Sequence, residues 1–276
     1  MFPQYEYIDL PLRVNTLNQV KASPTRFHKH LELMLVHSGT LEVCINKVGY
    51  TLQAGDMYLV FPNLPHSLSA SPGSVSVMLL DSELFTLLHK VMKNKIPACP
   101  VFRKGSFSPA VYTLVDRMHQ ITQQKLGDKQ TLLTVYANAL LGELICQSDM
   151  VDRRRDNDLL HRMSLYILEH YTQEITLDKM ARELNYNKFY ISHLISNIYN
   201  CNFRSLINSY RVSLARHLLA SGNSPISEVA YACGFKNQST FNRIFMEHCQ
   251  TTPSAYRQKT ERPPKKPDVF NPPLMP

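Results

Sequence analysis

Two segments of the C-terminal half repeat one helical pattern, and this repeat constrains the fold more than any other feature of the sequence. They span residues 175–195 and 226–245. Each opens with a hydroxyl residue, Thr176 or Ser227, of the kind that caps a helix N-terminus. An apolar residue and then an alanine follow at helical spacing, so each segment is predicted to begin with a short amphipathic helix.

A tight turn ends the first helix of each segment. Gly234 occupies the turn in the second segment and Asn185 in the first, and both residue types tolerate the left-handed backbone that such a turn needs. Asn237 and Asn187 then stand where a new helix needs a cap. A helix, a tight turn and a second helix form the unit whose second helix lies in the major groove of DNA.

The spacing of the two units fits tandem DNA binding. Ala181 and Ala230 hold equivalent positions 49 residues apart, and an amphipathic helix over about Phe203–Ala220 fills the interval. A helix of about 18 residues is about 27 Å long. That length is close to the roughly 34 Å between successive major-groove segments on one side of a duplex.

Residues 159–258 resemble the DNA-binding domain of the AraC/XylS family of transcription regulators. The closest matches are Ile226–Arg257 and Arg204–Ile226. The first unit matches less closely, because its Asn185-Tyr186-Asn187 turn lacks a glycine. The resemblance implies that residues 187–198 and 237–247 are recognition helices, with double-stranded DNA as the partner.

Polar side chains on these two helices are the candidates for DNA contact. On the second helix, Gln238 and Arg243 are of types that pair with adenine and guanine edges, and Phe241, Ile244 and Phe245 are expected to face inward. Lys236 and Asn237 stand at the helix start, a position suited to phosphate. The full candidate set is Lys188, Phe189, Ser192, His193, Lys236, Asn237, Gln238, Ser239, Thr240 and Arg243.

The N-terminal half is predicted to form a small antiparallel β-barrel or β-sandwich. Short apolar and β-branched runs between residues 26 and 80 alternate with turn signals such as Ser38-Gly39 and Gly55-Asp56. The segments 26–34 and 55–66 resemble the cupin barrel that precedes the DNA-binding domain in many AraC-family regulators. The fold class is therefore multidomain α and β, with a cupin-like barrel followed by an all-α domain.

A polar strand face in the barrel is the candidate effector site. Alternation along one strand places every second residue on one face, and the second cupin-like segment ends in another histidine. The resulting candidates are Arg26, His28, His30, Glu32 and His66. Histidine and glutamate also suit a metal, but aligning the cupin pattern on Glu32 puts Arg26 where a metal ligand belongs. We therefore expect an organic effector that is anionic or bears hydroxyl groups, with no metal or other cofactor. The two alternatives are a metal site and polar barrel residues that bind no ligand.

Helical periodicity resumes after the barrel. Residues 106–125 and 128–147 read as a helical pair that either caps the barrel or forms a homodimer contact. The polar segment 148–158 is the candidate linker. We thus expect an effector-binding and dimerisation domain over 1–147, a DNA-binding domain over 159–260 and a disordered, Pro-rich tail over 261–276.

Composition fits this division. Residues 1–150 carry 13 Lys and Arg against 11 Asp and Glu, and residues 151–276 carry 17 against 11, so the excess of +6 in the second half favours a polyanionic partner there. Six scattered cysteines form no Cys-x-x-Cys pair, which argues against a zinc ribbon. The first residues lack the pattern of a signal peptide and no apolar run spans a bilayer, so we expect a cytoplasmic protein without a membrane partner.

The leading interpretation is a sequence-specific, non-enzymatic transcription regulator controlled by a small molecule, for which the resemblance suggests a carbohydrate or related metabolite. The alternative is a cupin-type metalloenzyme with a helical accessory domain. It requires a complete set of metal ligands and leaves the paired helix-turn-helix pattern unexplained. A third interpretation, a helical adaptor protein, does not account for basic and polar residues on both second helices.

Overall fold

The computed structural model describes residues 3–81, 84–85, 95–152 and 155–261. Within these ranges the chain forms twelve strands and nine helices, with eleven of the strands preceding the first helix. The expected tail over 261–276 lies outside the described residues, except for Glu261. The N-terminal half is rich in strands and the C-terminal half is helical, which confirms the predicted fold class.

Two five-stranded sheets make up the N-terminal half. One has the strand order β1-β3-β8-β5-β6 and the other β11-β7-β4-β9-β2. Pairing is antiparallel in both sheets except between β1 and β3, which run parallel. The strands are β1 Gln4–Tyr5, β2 Leu12–Leu17, β3 Ser23–Phe27, β4 His30–Val36, β5 Leu41–Ile45, β6 Val48–Leu52, β7 Met57–Val60, β8 His66–Leu68, β9 Val75–Asp81, β10 Lys95–Pro97 and β11 Val101–Phe102.

Strand β4 is buried on both faces, which explains its nearly unbroken apolar run. Met34 and Val36 pack with residues of the opposite sheet, such as Val43, in the core between the sheets. Leu31 and Leu33, which alternate with them, pack in a second core with the helical pair. The helices therefore cover the outer face of one sheet, which is one of the two roles expected for the helical pair.

The helical pair consists of α1, Ala110–Gln123, and α2, Lys129–Cys146. Both fall within the predicted ranges. Helix α1 begins four residues later than expected, after Pro109, whose backbone is already helical. The Asp128 side chain caps α2 by accepting a hydrogen bond from the Thr131 N–H at 3.0 Å.

The segment predicted as a linker carries regular structure. Met150–Asp152 forms β12, which pairs antiparallel with β10, and helix α3 already begins at Arg155. The polar composition that marks residues 148–158 as the candidate linker is thus compatible with a two-stranded ribbon and the start of a helix. The assignment of a linker between the two domains stays a prediction.

Seven helices form the C-terminal half, arranged as two helical cores joined by α6. Tyr210 of α6 lies in the first core, and Val212 and Leu219 of the same helix lie in the second. Among the described residues no helix is long and apolar enough to cross a membrane. The helices are α3 Arg155–His170, α4 Leu177–Leu184, α5 Lys188–Tyr199, α6 Phe203–Ser221, α7 Ile226–Ala232, α8 Gln238–Cys249 and α9 Pro253–Glu261.

An aromatic interface joins the two halves. Tyr5 of β1 stacks on Tyr210 of α6 with ring centroids 3.9 Å apart, and Phe27 of β3 lies 4.7 Å from the ring of Tyr199 at the end of α5. All four side chains are at most 3% exposed. The first helical core thus includes residues of the barrel, so the two halves share part of one hydrophobic core.

Candidate functional site

The two helix-turn-helix units have the same turn geometry. Asn185 and Gly234 both adopt the left-handed backbone, with φ of 57° and 85°. The next residue in each unit donates its N–H to the carbonyl of the alanine five positions earlier. The bond is 3.0 Å from Tyr186 to Ala181 and also 3.0 Å in the second unit. The repeat seen in the sequence is therefore a repeat in backbone conformation.

Three of the four expected helix caps are present. The side chains of Asn187 and Asn237 each accept a backbone hydrogen bond at 2.8 Å at the start of α5 and α8, and Thr176 accepts one at 3.2 Å at the start of α4. Ser227 was expected to cap α7, and this expectation is wrong. The helix already begins at Ile226, directly after Pro225, so Ser227 lies inside its first turn. The rigid proline sets the entry of this helix without a side-chain cap.

Helix α8 presents its candidate contact residues on the side away from the core. Phe241, Ile244 and Phe245 are at most 6% exposed, as predicted from the helical period. On the other side, Arg243 is exposed and forms a 3.6 Å ion pair with Glu247. Lys236, Asn237, Gln238 and Ser239 are also exposed, and Thr240 is half-buried.

Helix α5 has the same division. Ile191, Leu194 and Ile195 point into the first helical core. Lys188, Phe189, Ser192 and His193 are exposed, as expected of contact residues. The Phe189 ring is 73% exposed, and the Lys188 ammonium lies over it at 5.6 Å from the ring centroid.

A buried charged cluster lies in the barrel, centred on the Glu32 carboxylate. One carboxylate oxygen, Oε2, is 3.1 Å from His28 Nε2, 3.4 Å from His66 Nε2 and 3.5 Å from Arg26 Nη2. The other oxygen accepts a hydrogen bond from the Tyr58 hydroxyl. The structure thus brings together four of the five predicted effector-site residues.

The electrostatics of the cluster keep Glu32 ionised. Burial alone would raise the pKa of its carboxyl, but His66, His28 and Arg26 together hold this pKa well below its usual range. Burial alone would also lower the pKa of Arg26, yet the carboxylates of Glu32 and Glu6 outweigh that effect and raise it. The arginine and the glutamate therefore form a buried ion pair.

The cluster does not fit a metal ion. His28, Glu32 and His66 place ligand atoms within 4.8 Å of one another, as a metal site requires. The Arg26 guanidinium, however, approaches both His66 Nε2 and Glu32 Oε2, at 3.4 and 3.5 Å. A permanent cation among the ligand atoms repels a second cation and occupies its space. This arrangement supports the expectation that Arg26 replaces a metal ligand.

His30 does not join the cluster. Its Nε2 lies 2.9 Å from the carbonyl of Leu10, and the ring faces Asp81 at 4.0 Å. The chain is not one continuous strand here, because β3 ends at Phe27 and β4 begins at His30. This break invalidates the simple alternation that placed His28 and His30 on the same face.

A cavity of about 430 Å³ opens beside the cluster, between β2, β3 and β9. Arg26 lines it, whereas His28, Glu32 and His66 do not. The cavity carries two further cationic side chains, Arg13 and Lys21, and mainly apolar walls from Leu17, Val20, Met34, Leu68, Val77 and Leu79. Arg13 was not among the predicted residues. It alternates along β2 with Leu12 and Val14, which are buried in the core that contacts the helical pair, so its side chain lies on the opposite face of the strand.

Known families match both halves of the chain. A helix-turn-helix domain family matches residues 180–259 and a cupin domain family matches residues 16–83. The regulatory protein SoxS of Salmonella typhimurium is 30% identical over 94 residues, which cover 34% of this chain and 88% of SoxS. The chain belongs to the AraC/XylS family of transcription regulators. This membership agrees with a non-enzymatic transcription regulator.

Other relatives named as transcriptional regulators differ in how much of their length they share with the chain. The regulator YijO of Escherichia coli is 32% identical over 114 residues, 40% of each protein. The match to YtdP of Bacillus subtilis covers only 12% of that protein. The probable regulator LumQ of Photobacterium leiognathi is 24% identical over 255 residues, 89% of this chain and 95% of LumQ.

The overall fold also occurs in ToxT from Vibrio cholerae. A crystal structure of ToxT bound to a naphthalenyl-butenoic acid aligns with a TM-score of 0.61 and 17% identity, covering 91% of this chain and all of ToxT. A second ToxT structure, bound to an unsaturated fatty acid, aligns with a TM-score of 0.58 over 89% of this chain. The arrangement of a cupin domain followed by two helix-turn-helix units is therefore shared with ToxT.

Proposed function

We propose that the protein binds specific DNA sequences by placing α5 and α8 in successive segments of the major groove. The observation that carries this proposal is the repeated unit. Both turns have a left-handed residue and the same backbone hydrogen bond, and each leads into a capped helix with an exposed polar face. Helix α6, 19 residues or about 28 Å long, holds the two units apart. Residues 159–260 are the DNA-binding domain in this proposal.

The contact residues divide by the chemistry they offer. Gln238 and Arg243 are base readers on α8, and Ser239 and Thr240 add hydroxyl contacts. Lys236 and Asn237 contact phosphate, although the Asn237 side-chain oxygen is already engaged as the helix cap. On α5 the contacts come from Lys188, Phe189, Ser192 and His193, and the exposed Phe189 ring suits apolar contact with a thymine methyl group.

We expect Arg243→Ala to cost about 1–3 kcal/mol of binding free energy at one base position and to relax specificity there. The exposed ion pair with Glu247 offers little competition for the guanidinium, since such pairs contribute at most about 1 kcal/mol. Affinity for single-base variants of a selected site measures the effect. Arg117→Ala, on α1, is the matched control. Equal weakening on every variant would assign Arg243 to phosphate instead of a base.

We propose further that the barrel cavity binds a small organic anion with an apolar body. Three cationic side chains and one carboxylate, Glu6, line a cavity with mainly apolar walls. This lining favours a carboxylic acid over a neutral carbohydrate, whose hydroxyl groups would face apolar walls unsatisfied. The fatty acid bound by ToxT supports this class of effector.

Thermal unfolding in the presence of ligand tests the effector class. We expect a monounsaturated fatty acid to raise the unfolding midpoint and glucose to leave it unchanged, because only a ligand that binds the folded state stabilises it. Arg13→Gln is expected to reduce the shift and Arg117→Gln to preserve it. A shift with glucose but not with the fatty acid would contradict this assignment.

Hydrogen bonds connect the charged cluster beside the proposed effector cavity to the first recognition helix. The carbonyl of His28 accepts the N–H of Asn63 at 2.8 Å, and the Asn63 carbonyl accepts the Tyr199 hydroxyl, at the end of α5, at 2.9 Å. The Asn63 amide also donates to Ser164 on α3 at 2.8 Å. An effector that binds two arrangements of the barrel unequally can thereby shift the position of α5.

Residues 1–147 form the effector-binding and dimerisation domain in this proposal. The helical pair exposes Val135 and Leu126, at 60% and 40%, on the side away from the barrel core, and apolar exposure of this kind suits a homodimer contact. A solution mass near that of one 31.7 kDa chain would contradict the homodimer. A DNA-binding regulator of this class acts in the cytoplasm.

A further inference from the structure

A polar cleft runs along the N-terminal half of α6, between the two helix-turn-helix units. It consists of two adjoining cavities of about 570 and 450 Å³. The two cavities share five of their lining residues, Arg204, Asn208, Arg211, Phe235 and Lys236. One end reaches the start of α4 in the first unit, and the other reaches Thr240 and Arg243 on α8. The cleft therefore connects the first unit to the second recognition helix.

Arg211 has a structural role in this cleft. Its Nε donates to the Tyr171 carbonyl at 2.6 Å and its Nη2 to the Gln173 carbonyl at 2.8 Å. The guanidinium also lies 5.7 Å from the centroid of the Phe235 ring. These contacts tie α6 to the segment that leads into the first unit and to the turn of the second. Arg211 fixes the cleft and is not available to a ligand.

Arg204 lies on the same face of α6, two helical turns before Arg211, and its side chain makes no comparable contact with the described residues. It is exposed, and within the described part of the chain its guanidinium forms neither a hydrogen bond nor an ion pair. The amide of Asn208, one turn further along, also forms no side-chain hydrogen bond to any described residue. Among the described residues the Lys236 ammonium forms one ion pair, with Glu174 at 2.9 Å. Both side chains of this pair are more than two-thirds exposed.

Arg204, Asn208 and Lys236 line one cleft, and they are of the residue types that bind DNA phosphates. The only hydrogen-bonded or ionic contact between these three side chains and the other described residues is the exposed ion pair of Lys236 with Glu174. Two helices in successive major-groove segments must have the sugar–phosphate backbone crossing between them. The cleft lies along the helix that joins those two units. Its excess of cationic groups over carboxylates complements a polyanion.

We propose that Arg204, assisted by Asn208, binds a backbone phosphate of the DNA between the two major-groove segments. This inference rests on the proposed function and adds a contact that belongs to neither recognition helix. Arg204 thus contributes affinity without sequence preference and holds the register of both units on the duplex. Arg211 is a positioning residue for this site.

The salt dependence of DNA binding tests this site. Each phosphate that a side chain neutralises contributes about 0.9 to the slope of log K against log salt concentration. We expect Arg204→Gln to reduce the slope by about 0.9 on a 40-base-pair duplex of random sequence, and Arg204→Lys to retain it. Between 50 and 200 mM salt the wild type should then lose about three- to fourfold more affinity than Arg204→Gln.

Arg117→Gln is the matched control, because it removes the same charge from a half-buried arginine on α1 that donates to Gln120 and lies far along the chain from the cleft. We expect it to leave the slope unchanged. An unchanged slope for Arg204→Gln, or an equal decrease for both variants, would overturn the phosphate site while leaving the proposed function intact. If the wild type binds no duplex at any salt concentration, the proposed function itself fails, and the phosphate site fails with it.

Discussion

Replacing Gly234 with alanine is expected to destabilise the folded protein by about 2–5 kcal/mol. The left-handed backbone at this position, with φ of 85°, costs an L-residue about 1–2 kcal/mol. An added Cβ would also lie 2.5 Å from the carbonyl oxygen of Thr172 and 2.7 Å from its carbonyl carbon. These are backbone atoms, and forcing them apart costs about 1–3 kcal/mol more.

The effect of Gly234→Ala should extend to DNA binding, because Thr172 lies in the connection that leads into the first helix-turn-helix unit and Gly234 lies in the turn of the second. Moving them apart changes the spacing of the two recognition helices. We expect binding to a two-block site to weaken even where the variant remains folded. Binding to a site with one block is expected to weaken much less.

Asn185→Ala is the matched control for Gly234→Ala. Asn185 holds the same position in the first turn with the same left-handed backbone, but it is exposed. Its replacement therefore carries only the backbone strain of about 1–2 kcal/mol. Urea unfolding followed by circular dichroism measures both variants. Equal destabilisation of the two would mean that the close contact with Thr172 contributes nothing.

Replacing Glu32 with alanine is expected to cost about 3–5 kcal/mol at neutral pH. Its carboxylate is fully buried and neutralises the Arg26 guanidinium, which is itself largely buried. Removing Glu32 leaves the Arg26 charge only partly compensated, because its remaining partner Glu6, 3.3 Å from Arg26 Nε, is 40% exposed, and the penalty for a buried charge without a buried partner is large. Glu42→Ala, at an exposed carboxylate on β5, is expected to change stability by no more than about 0.5 kcal/mol.

The pH dependence of the Glu32→Ala effect has a defined sign. The folded-state pKa of Glu32 is lowered, so its stabilising contribution is present above the unfolded-state pKa of about 4.3 and is lost as the pH falls further. The stability difference between wild type and Glu32→Ala should therefore be largest near neutral pH and shrink on acidification below about pH 4. A difference that grows on acidification would mean that Glu32 is buried in its neutral form.

The helix-turn-helix units could be predicted from sequence because they follow local rules. A cap side chain, a left-handed turn residue and a helical period each depend on a few neighbouring residues, and Asn187, Asn237 and Gly234 all have the expected conformations. The repeat of the pattern made the prediction specific. Ser227 was wrongly predicted to be a helix cap, because α7 already begins at Ile226, directly after Pro225.

The effector site was less predictable because it depends on contacts distant in sequence. The break between β3 and β4 removes His30 from the cluster, and no period in the sequence marks that break. Arg13 and Lys21 reach the cavity only after the two sheets have assembled. The interface between the halves is equally non-local: the Gln4 amide donates to the His248 carbonyl at 3.0 Å, across 244 residues.

Selection of bound sites from random duplex DNA, with the full-length protein at a fixed salt concentration, tests the central claim most directly. We expect enrichment of a motif with two blocks about one helical turn apart, because both recognition helices present base-reading side chains. The selection should be run with and without a monounsaturated fatty acid, so that dependence on the proposed effector is measured in the same experiment. Failure to enrich any motif under either condition would contradict sequence-specific DNA binding by this protein.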